Sequence, residues 1–195
     1  MSTQAPTKKV RRGFGPLVVI VLVVPLMALA LWAEGRLLAC ECGEFQVWVG
    51  DTCSSRNSQQ LFDPYSLTHI LHGFLFFWLI SRFFKNLAPQ WQFSLAVVLE
   101  AVWEVIENTN FVINRYREQT AALGYTGDTV VNSLGDLWCA AAGFLLLRAL
   151  GWFRGLIAFL LLELVLLLTI HDSLLLQILM LIYPVNAIKF WQLCR

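Results

Sequence analysis

The sequence predicts an all-α fold, a polytopic transmembrane helical bundle with about six spans and both termini in the cytoplasm. Of the 195 residues, 58% are hydrophobic and 14% are charged, whereas about a quarter of the residues of a soluble domain are charged. Several apolar runs approach the roughly 20 residues that cross a bilayer as a helix. Lys and Arg also concentrate in alternate connections between these runs, as they do in membrane proteins.

The first span is predicted over residues 14–32. It follows a polar, basic segment, residues 1–13, which we expect to be a disordered cytoplasmic tail. Ala28 and Ala30 resemble the small-residue cleavage site of a signal peptide. The apolar run is longer than the roughly 7–15 residues of a usual signal core, which favours an uncleaved anchor. Residues 14–192 are therefore predicted to form one transmembrane helical domain.

Residues 33–65 form the longest polar connection, which we predict to be a periplasmic loop. The loop contains Cys40, Cys42 and Cys53. A disulfide between Cys53 and one of the other two would close the loop in an oxidising compartment. Free thiols and a zinc site are the alternatives, although no ligand pair of the usual Cys-x-x-Cys type accompanies the Cys-x-Cys spacing.

Five further spans are expected after this loop. The stretch from Asp63 to Ser66 is typical of a helix start, with Ser66 as the N-cap. Residues 114–126 are predicted to be a polar loop. Pro184 interrupts the last span, which either crosses with a kink or lies partly in the membrane interface. The predicted spans are residues 67–84, 91–113, 127–151, 155–170 and 173–191.

The positive-inside rule gives the predicted orientation. With the N-terminus inside, only Arg36, Arg56, Arg115 and Arg117 of the 14 Lys and Arg residues fall outside. The residues then on the cytoplasmic side are Lys8, Lys9, Arg11, Arg12, Arg82, Lys85, Arg148, Arg154, Lys189 and Arg195. The inverted topology would place this larger group outside, so we expect a multi-pass protein of the cell inner membrane.

The third and fourth spans carry acids where lipid-facing residues would be apolar. At helical pitch, Glu100, Glu104 and Glu107 fall on one stripe of the third span, as do Asp128 and Asn132 on the fourth. A carboxylate at the bilayer centre costs roughly 2.5–3.5 kcal/mol on insertion scales. Such residues are expected to face the bundle interior, where a functional site is favoured over a purely structural hydrogen-bond network.

These acids are expected to meet other titratable side chains near the outer leaflet. His69 and His72 lie in the first turns of the second span, and His171 and Asp172 follow the fifth. The topology brings all four to the depth of Glu107, which predicts a polar cleft that opens outward and narrows towards the midplane. The small residues that predict close helix packing below this cleft are Gly135, Cys139 and Gly143.

The residue types of the cleft suit metal binding or acid–base chemistry. Two imidazoles at i and i+3, facing carboxylates of another helix, are ligands of divalent metals, so His69 and His72 are candidate metal ligands. Crowded carboxylates can instead form a general acid–base pair. The candidate catalytic residues are Glu104, Glu107, Asp128 and Asn132. The candidate substrate-binding residues are Asn108 and Arg115, the latter as the anchor of a phosphate or carboxylate.

Other chemistries lack a signal in the sequence. It contains no HExxH, GxSxG or P-loop signature. It also contains no basic stripe with interleaved aromatic residues, so nucleic acid is not an expected partner.

Two resemblances to known families accompany these motifs. The spacing Asp128-x3-Asn132-x2-Gly135, followed by Gly143, resembles the signature of VanZ-like membrane proteins. That resemblance implies a role in the cell envelope or in antibiotic tolerance. The long cysteine-bearing loop and the stripe of Glu residues are departures from the VanZ pattern.

A closer resemblance is to a family of bacterial inner-membrane proteins known only as a domain of unknown function. It covers residues 14–192 and implies a location rather than an activity. The motifs that carry it are His69-x-x-His72-Gly73, Trp103-Glu104-x-x-Glu107-Asn108 and Gly127-Asp128-Thr129.

Taken together, these features predict an inner-membrane protein with an outward-facing intramembrane polar site. We expect this site to act on a lipid or lipid-linked envelope substrate, with membrane lipid as the partner of the protein. A divalent metal is the candidate cofactor. A proton-linked transporter or ion pathway is one alternative. A noncatalytic membrane scaffold, whose acids only order the helices, is the other.

Overall fold

The computed structural model describes residues 14–120 and 124–193, and the predicted tail, residues 1–13, lies outside this part of the chain. The prediction of an all-α fold is confirmed, since the only β pairing in the described ranges is an isolated bridge between Trp48 and Phe62. The helices are α1 (Gly15–Ala33), α2 (Ser66–Phe83), α3 (Pro89–Glu107), α4 (Asn110–Gln119), α5 (Val130–Leu150), α6 (Trp152–Ile170), α7 (Leu174–Ile182) and α8 (Asn186–Gln192).

Three of these helices, α1, α5 and α6, are long and apolar enough to cross a membrane. They contain 19, 21 and 19 residues, which corresponds to about 28–32 Å at 1.5 Å per residue and matches a hydrocarbon core of about 30 Å. Leu29 and Leu168, which are 59% and 72% exposed, show the apolar outer surface of this bundle. The chain is therefore suited to membrane association. The helices α2 and α3 have similar lengths but carry the buried polar groups.

The closest helix contact in the bundle joins α2 to α5, and glycines make it possible. A Cβ at Gly73 would lie 2.1 Å from the carbonyl oxygen of Ala140, and one at Gly143 would lie 2.2 Å from that of Ile70. No side chain fits at such distances, so the two backbones touch directly. The predicted close packing at Gly143 is confirmed, and Gly135 approaches the carbonyl of Leu61 in the same way.

The two ends of the helical bundle differ in the residues that they carry. We call the end where α1, α3 and α6 finish and α2 and α5 begin the polar end. There the backbone N–H of Val130 donates to the carbonyl of Leu37, which ties the start of α5 to the chain just after α1. At the opposite end, Ser94 near the start of α3 donates to the carbonyl of Pro16 at the start of α1.

The third predicted span, residues 91–113, extends beyond the end of the helix by nearly two turns. The helix α3 ends at Glu107, and Thr109 then starts the separate helix α4. Thr109 has an extended backbone and its hydroxyl accepts a hydrogen bond from the N–H of Val112, which is the geometry of an N-cap. Part of the predicted polar loop 114–126 is therefore helical.

No single helix fills the predicted sixth span, residues 173–191, so a sixth crossing is not confirmed. The segment is divided into α7 and α8 by a break around Pro184, and the 9 residues of α7 span only about 13 Å. Gln192 at the end of α8 donates to the carboxylate of Asp172, just before α7, at 2.9 Å. The segment thus folds back on itself at the polar end, whereas α1 begins at the opposite end. The described chain thus begins at one end of the bundle and ends at the other, and the predicted cytoplasmic location of both termini stays a prediction.

The loop before α2 differs from its prediction in two details. Cys40 is bonded to Cys42, so the predicted pairing of either residue with Cys53 is wrong. Ser66 is the first residue of α2 rather than its N-cap. Asp63 supplies the capping oxygen instead, because its Oδ1 accepts hydrogen bonds from the N–H groups of Tyr65 at 2.8 Å and Ser66 at 3.3 Å.

Candidate functional site

A buried cluster of imidazoles and carboxylates lies where α2, α3 and α5 meet near the polar end. His69 Nδ1 lies 2.5 Å from Glu100 Oε1 and 3.3 Å from Glu104 Oε1. His72 Nδ1 lies 3.2 Å from each oxygen of Glu100. On the other side of the ring, His69 Nε2 faces Asp136 Oδ2 at 3.8 Å. One imidazole thus touches carboxylates from two helices.

Helical spacing explains why these side chains meet. His69 and His72 are three residues apart on α2, and Glu100 and Glu104 are four apart on α3, so each pair lies on one face of its helix. The close contact of α2 with α5 brings Asp136 against the same imidazole. The predicted Glu stripe of α3 therefore faces the two imidazoles of α2, and these imidazoles contact Glu100 rather than lying at the predicted depth of Glu107.

The cluster concentrates negative charge away from water. Glu100 and Glu104 are 0% exposed and Asp136 is 3% exposed. Neither oxygen of Glu104 has a hydrogen-bond partner among the described residues, and Oδ1 of Asp136 has none there either. A buried carboxylate without a donor is costly. Protonation of these carboxylates or a nearby cation would offset this cost.

The donor set fits a divalent metal. The ligand atoms of His69, His72 and Glu100 all lie within 4.8 Å of one another. Two His and one Glu are the protein ligands of many catalytic zinc sites, which leave a further position open. The carboxylate of Asp136 faces the second nitrogen of His69, as acids that orient a metal-bound imidazole do. The predicted metal ligands, His69 and His72, are thus placed together with a suitable third ligand.

A cavity of about 490 Å³ leads from the surface of the polar end to this cluster. Its rim includes exposed residues such as Ser55 and Thr126, and its floor is formed by the buried side chains of His69 and Asp136. The walls come from the loop before α2, the helices α4 and α8, and the turn between α6 and α7. A ligand in the cavity would reach one of the metal-ligand candidates directly.

Acidic and phenolic side chains form much of the cavity wall. Burial raises the pKa of Asp172 to about 7. Burial also raises the pKa of Asp128 to about 7, and the neighbouring charge of Glu107 adds to that increase. The pKa of Tyr116 lies well above its ordinary value, because this phenol is buried and faces Glu107. The phenol of Tyr116 donates to Glu107 Oε1 at 3.0 Å.

Asn108 joins α3 to the start of α5. Its Nδ2 donates to Asp128 Oδ2 at 3.0 Å and to the carbonyl of Glu104 at 3.0 Å, and its Oδ1 accepts from the backbone N–H of Asp128 at 2.7 Å. Asn108 is 0% exposed. The predicted substrate-binding residue therefore holds Asp128 at the cavity wall and does not itself line the cavity.

The other predicted site residues are divided between the cavity and its surroundings. Glu107 and Asp128 line the cavity, whereas Asn132 is buried on α5, one turn before Asp136. Arg115 does not reach the cavity, because its guanidinium donates twice to the carbonyl of Leu181, at 2.9 and 3.0 Å. The structure therefore does not support the predicted role of Arg115 as an anion anchor.

Sequence reasoning missed several residues that line the cavity. Tyr65, Tyr125, Gln177 and Gln192 are among them, and they come from segments far apart in the chain. Tyr65 lies between Asp63 and His69 in the sequence, and Tyr125 lies three residues before Asp128, but the motifs drew attention to the acids and the imidazole rather than to the phenols. Only the folding of α7 and α8 back onto the polar end places the two glutamines there, so no local signal could have identified them.

Comparison with known proteins identifies relatives along most of the chain. The family described as "Protein of unknown function (DUF2585)" matches residues 31–194. A "UPF0314 protein" of Brucella anthropi is 40% identical over 182 residues, which are 93% of this chain and 92% of that protein. Another, of Sphingopyxis alaskensis, is 41% identical over 170 residues, 87% of this chain and 90% of that protein. A third, of Novosphingobium aromaticivorans, is 41% identical over 187 residues.

No solved structure matches this chain. The resemblance to a family of unknown function is confirmed by these matches, while the likeness of the fourth span to VanZ-like proteins stays a prediction. The family match includes every residue of the buried cluster and most of the cavity wall. The chain belongs to the DUF2585 family of proteins of unknown function.

Proposed function

We propose that this protein is a multi-pass protein of the bacterial inner membrane whose polar end faces the periplasm. Folding α7 and α8 back onto the polar end leaves α1, α2, α3, α5 and α6 as five spans. The cations Arg82, Lys85, Arg148 and Arg154 lie at the opposite end, where α1 begins. The positive-inside rule then favours the opposite end as cytoplasmic.

The buried cluster supports a divalent-metal centre with His69, His72 and Glu100 as its protein ligands. Glu104 is the observation that carries this proposal. It is fully buried, and neither of its oxygens accepts a hydrogen bond among the described residues. Its Oε1 lies 3.3 Å from the ligand atom Nδ1 of His69, with which it pairs only when that imidazole is protonated. A cation at the centre would offset the charge of both glutamates. A scaffold that used these acids only to order its helices would be expected to satisfy their oxygens.

We propose that the centre acts on an amphiphilic substrate that enters through the cavity. A divalent metal supplies Lewis-acid polarisation of an ester or phosphoryl oxygen. Glu104, beside the ligand atoms, is positioned to take or give a proton at the centre, and Asp136 orients the ring of His69. Glu107 and Asp128 in the cavity wall are positioned to hold the polar part of the substrate.

A proton-linked transport pathway is less well supported. On α1, α2, α3 and α5, no Asp, Glu or His lies between the cluster and the opposite end of the bundle. A relay through these helices would therefore have no side chains of those types to carry protons past the cluster. The acidic residues of these helices stop at the buried cluster, as expected for a binding or catalytic site.

Metal analysis of the purified protein tests this proposal. We expect roughly one Zn²⁺ or another first-row divalent ion per chain after purification in detergent and dialysis against the metal. The ion should be lost in Glu100→Gln and His72→Ala and retained in Glu118→Gln, which changes an exposed acid on α4. A wild-type protein that binds none of Zn²⁺, Mn²⁺, Fe²⁺ and Co²⁺, or variants that bind as much as the wild type, would overturn the proposal.

A further inference from the structure

The cavity at the polar end has an unbalanced charge. Four carboxylate residues line it: Glu107, Asp128, Asp136 and Asp172. No Lys or Arg is among the described residues that line it. Three nearby arginines donate to backbone carbonyls: Arg36 to that of Thr126, Arg115 to that of Leu181 and Arg117 to that of Tyr125. An anionic group would meet repulsion here, whereas a cationic group would be attracted.

Buried acceptors in this cavity lack donors. Asp136 is 3% exposed and lines the floor, and its Oδ1 has no hydrogen-bond partner among the described residues. Glu107 Oε2 is also without a partner in that part of the chain. A ligand that carries several N–H donors on one positive centre would satisfy such oxygens.

The size and lining of the cavity point to an organic ligand. A volume of about 490 Å³ is far larger than a single ion requires and lies in the range of small-molecule sites. The phenols of Tyr65, Tyr116 and Tyr125 line the cavity, and aromatic rings attract ammonium groups. Ile170 and Met180 add apolar surface beside these polar groups.

Apolar side chains next to the cavity indicate where the ligand comes from. Ile182 at the end of α7 is 75% exposed, Phe190 on α8 is 67% exposed and Phe111 on α4 is 80% exposed. These short helices flank the cavity at the polar end. Exposed apolar residues on short helices that adjoin membrane spans suit the headgroup layer of a bilayer. A lipid headgroup could enter the cavity from that layer.

We propose that the cavity binds the ammonium group of an amine-bearing lipid headgroup. This inference names the substrate class of the proposed enzyme and rests on the proposed function only for the chemistry that follows binding. The binding itself depends on Glu107, Asp172 and the tyrosines and does not require the metal centre. The lipid's amine lies among these carboxylates, and its acyl chains extend along the apolar surface of α4 and α7.

Lipid retention by the purified protein tests the inference. Native mass spectrometry in detergent would compare phosphatidylethanolamine with phosphatidylglycerol of the same acyl chains. We expect at least about tenfold tighter retention of phosphatidylethanolamine, as one lost charge-assisted hydrogen bond commonly costs that factor. Asp172→Asn and Glu107→Gln should each remove most of this preference, and the exposed control Glu118→Gln should preserve it. Asp172→Asn keeps an oxygen for the hydrogen bonds from Ser173 and Gln192.

The outcomes separate this inference from the metal proposal. Loss of the lipid preference in Asp172→Asn with unchanged metal content supports a distinct ammonium site. Equal or tighter retention of phosphatidylglycerol, or a full preference in both variants, would overturn the inference even if the metal is bound. A lipid preference in a protein without metal would overturn the proposed function and leave this inference standing. Binding of soluble glycerophosphoethanolamine with the same dependence on Asp172 would support the ammonium site and show that the acyl chains add little.

Discussion

Replacement of Asn108 by Ala tests how the candidate site is held together. The change removes the two hydrogen bonds between Asn108 and Asp128, and the bond to the carbonyl of Glu104. Neutral hydrogen bonds contribute about 0.5–1.5 kcal/mol each, and those to charged groups about 1.5–3 kcal/mol. The side chain is fully buried, so water does not replace the lost partners. We therefore expect Asn108→Ala to lower the free energy of unfolding by roughly 3–5 kcal/mol.

Thermal unfolding in detergent, followed by circular dichroism of the helices, measures this effect. For a chain of this size, about 1 kcal/mol corresponds to roughly 2–4 °C, so the midpoint should fall by about 10 °C. Asn114→Ala is the matched control, because Asn114 is an exposed residue of α4. Asn108→Asp adds a second diagnostic, since it places a carboxylate against Asp128 and should be less harmful at low pH, where one of the two acids is protonated.

Equal midpoints for the Asn108→Ala and Asn114→Ala proteins would refute this reasoning. In that case the contact between α3 and the start of α5 would not depend on the Asn108 side chain. A large loss of stability with unchanged metal content would instead confirm that Asn108 positions Asp128 without binding the metal.

Three further predictions follow from the packing and charges. Gly73→Ala should lower the free energy of unfolding by roughly 3 kcal/mol or more, because its Cβ would meet the Ala140 carbonyl at 2.1 Å. A smaller loss of stability in thermal unfolding would contradict direct backbone contact. The pKa of Asp172 is raised by burial to about 7, so the folded protein retains a proton that the unfolded chain releases, and stability is lost as pH rises from about 4 to about 7. The melting temperature of Asp172→Asn should accordingly exceed that of the wild type by an amount that grows over this pH range, and a constant difference would contradict the assignment. Glu163→Gln should increase amide hydrogen exchange at the start of α7, because the Glu163 carboxylate accepts from the N–H of Leu175, and it should cost about 1–2 kcal/mol.

Each of these predictions has a matched control in the same chain. Gly124→Ala introduces a Cβ where no atom lies within 4 Å, so its unfolding should match that of the wild type. Glu41→Gln changes an exposed acid and should not alter the pH profile. Glu118→Gln on α4 should leave exchange in α7 unchanged, and slower exchange in Glu163→Gln than in this control would contradict a capping role for Glu163.

The buried cluster could be anticipated from the sequence because its pattern is local. Acids at helical spacing within an apolar run face inward, whatever the details of the fold, since lipid excludes them. Glu100 and Glu104 are buried for this reason, and His69 and His72 face them from a neighbouring helix. The positions of α1 and α6 were predicted closely, because apolar length is a property of a short stretch, whereas the end of α3 at Glu107 and the capping role of Asp63 were not predicted.

The cavity could not be anticipated, because it depends on contacts between distant segments. The break at Pro184 was visible, but the sequence could not show whether the chain continues across the membrane or turns back. The hydrogen bond between Gln192 and Asp172 decided that it turns back. The contacts of Arg115 also depend on a distant segment. Its charge suggested an anion anchor, but its guanidinium donates to a carbonyl of α7.

The sequence by itself determined an all-helical, membrane-associated protein of an uncharacterised family with buried acids and imidazoles on α2 and α3. It could do so because helical periodicity and the cost of placing charge in lipid act within single segments. Only the tertiary structure decided that Asp136 joins the cluster, that α7 and α8 cover the polar end, and that the cavity is lined by carboxylates and phenols without Lys or Arg among its described residues. Those features arise from close backbone contact between α2 and α5 and from one reversal of the chain, which depend on which segments meet in space.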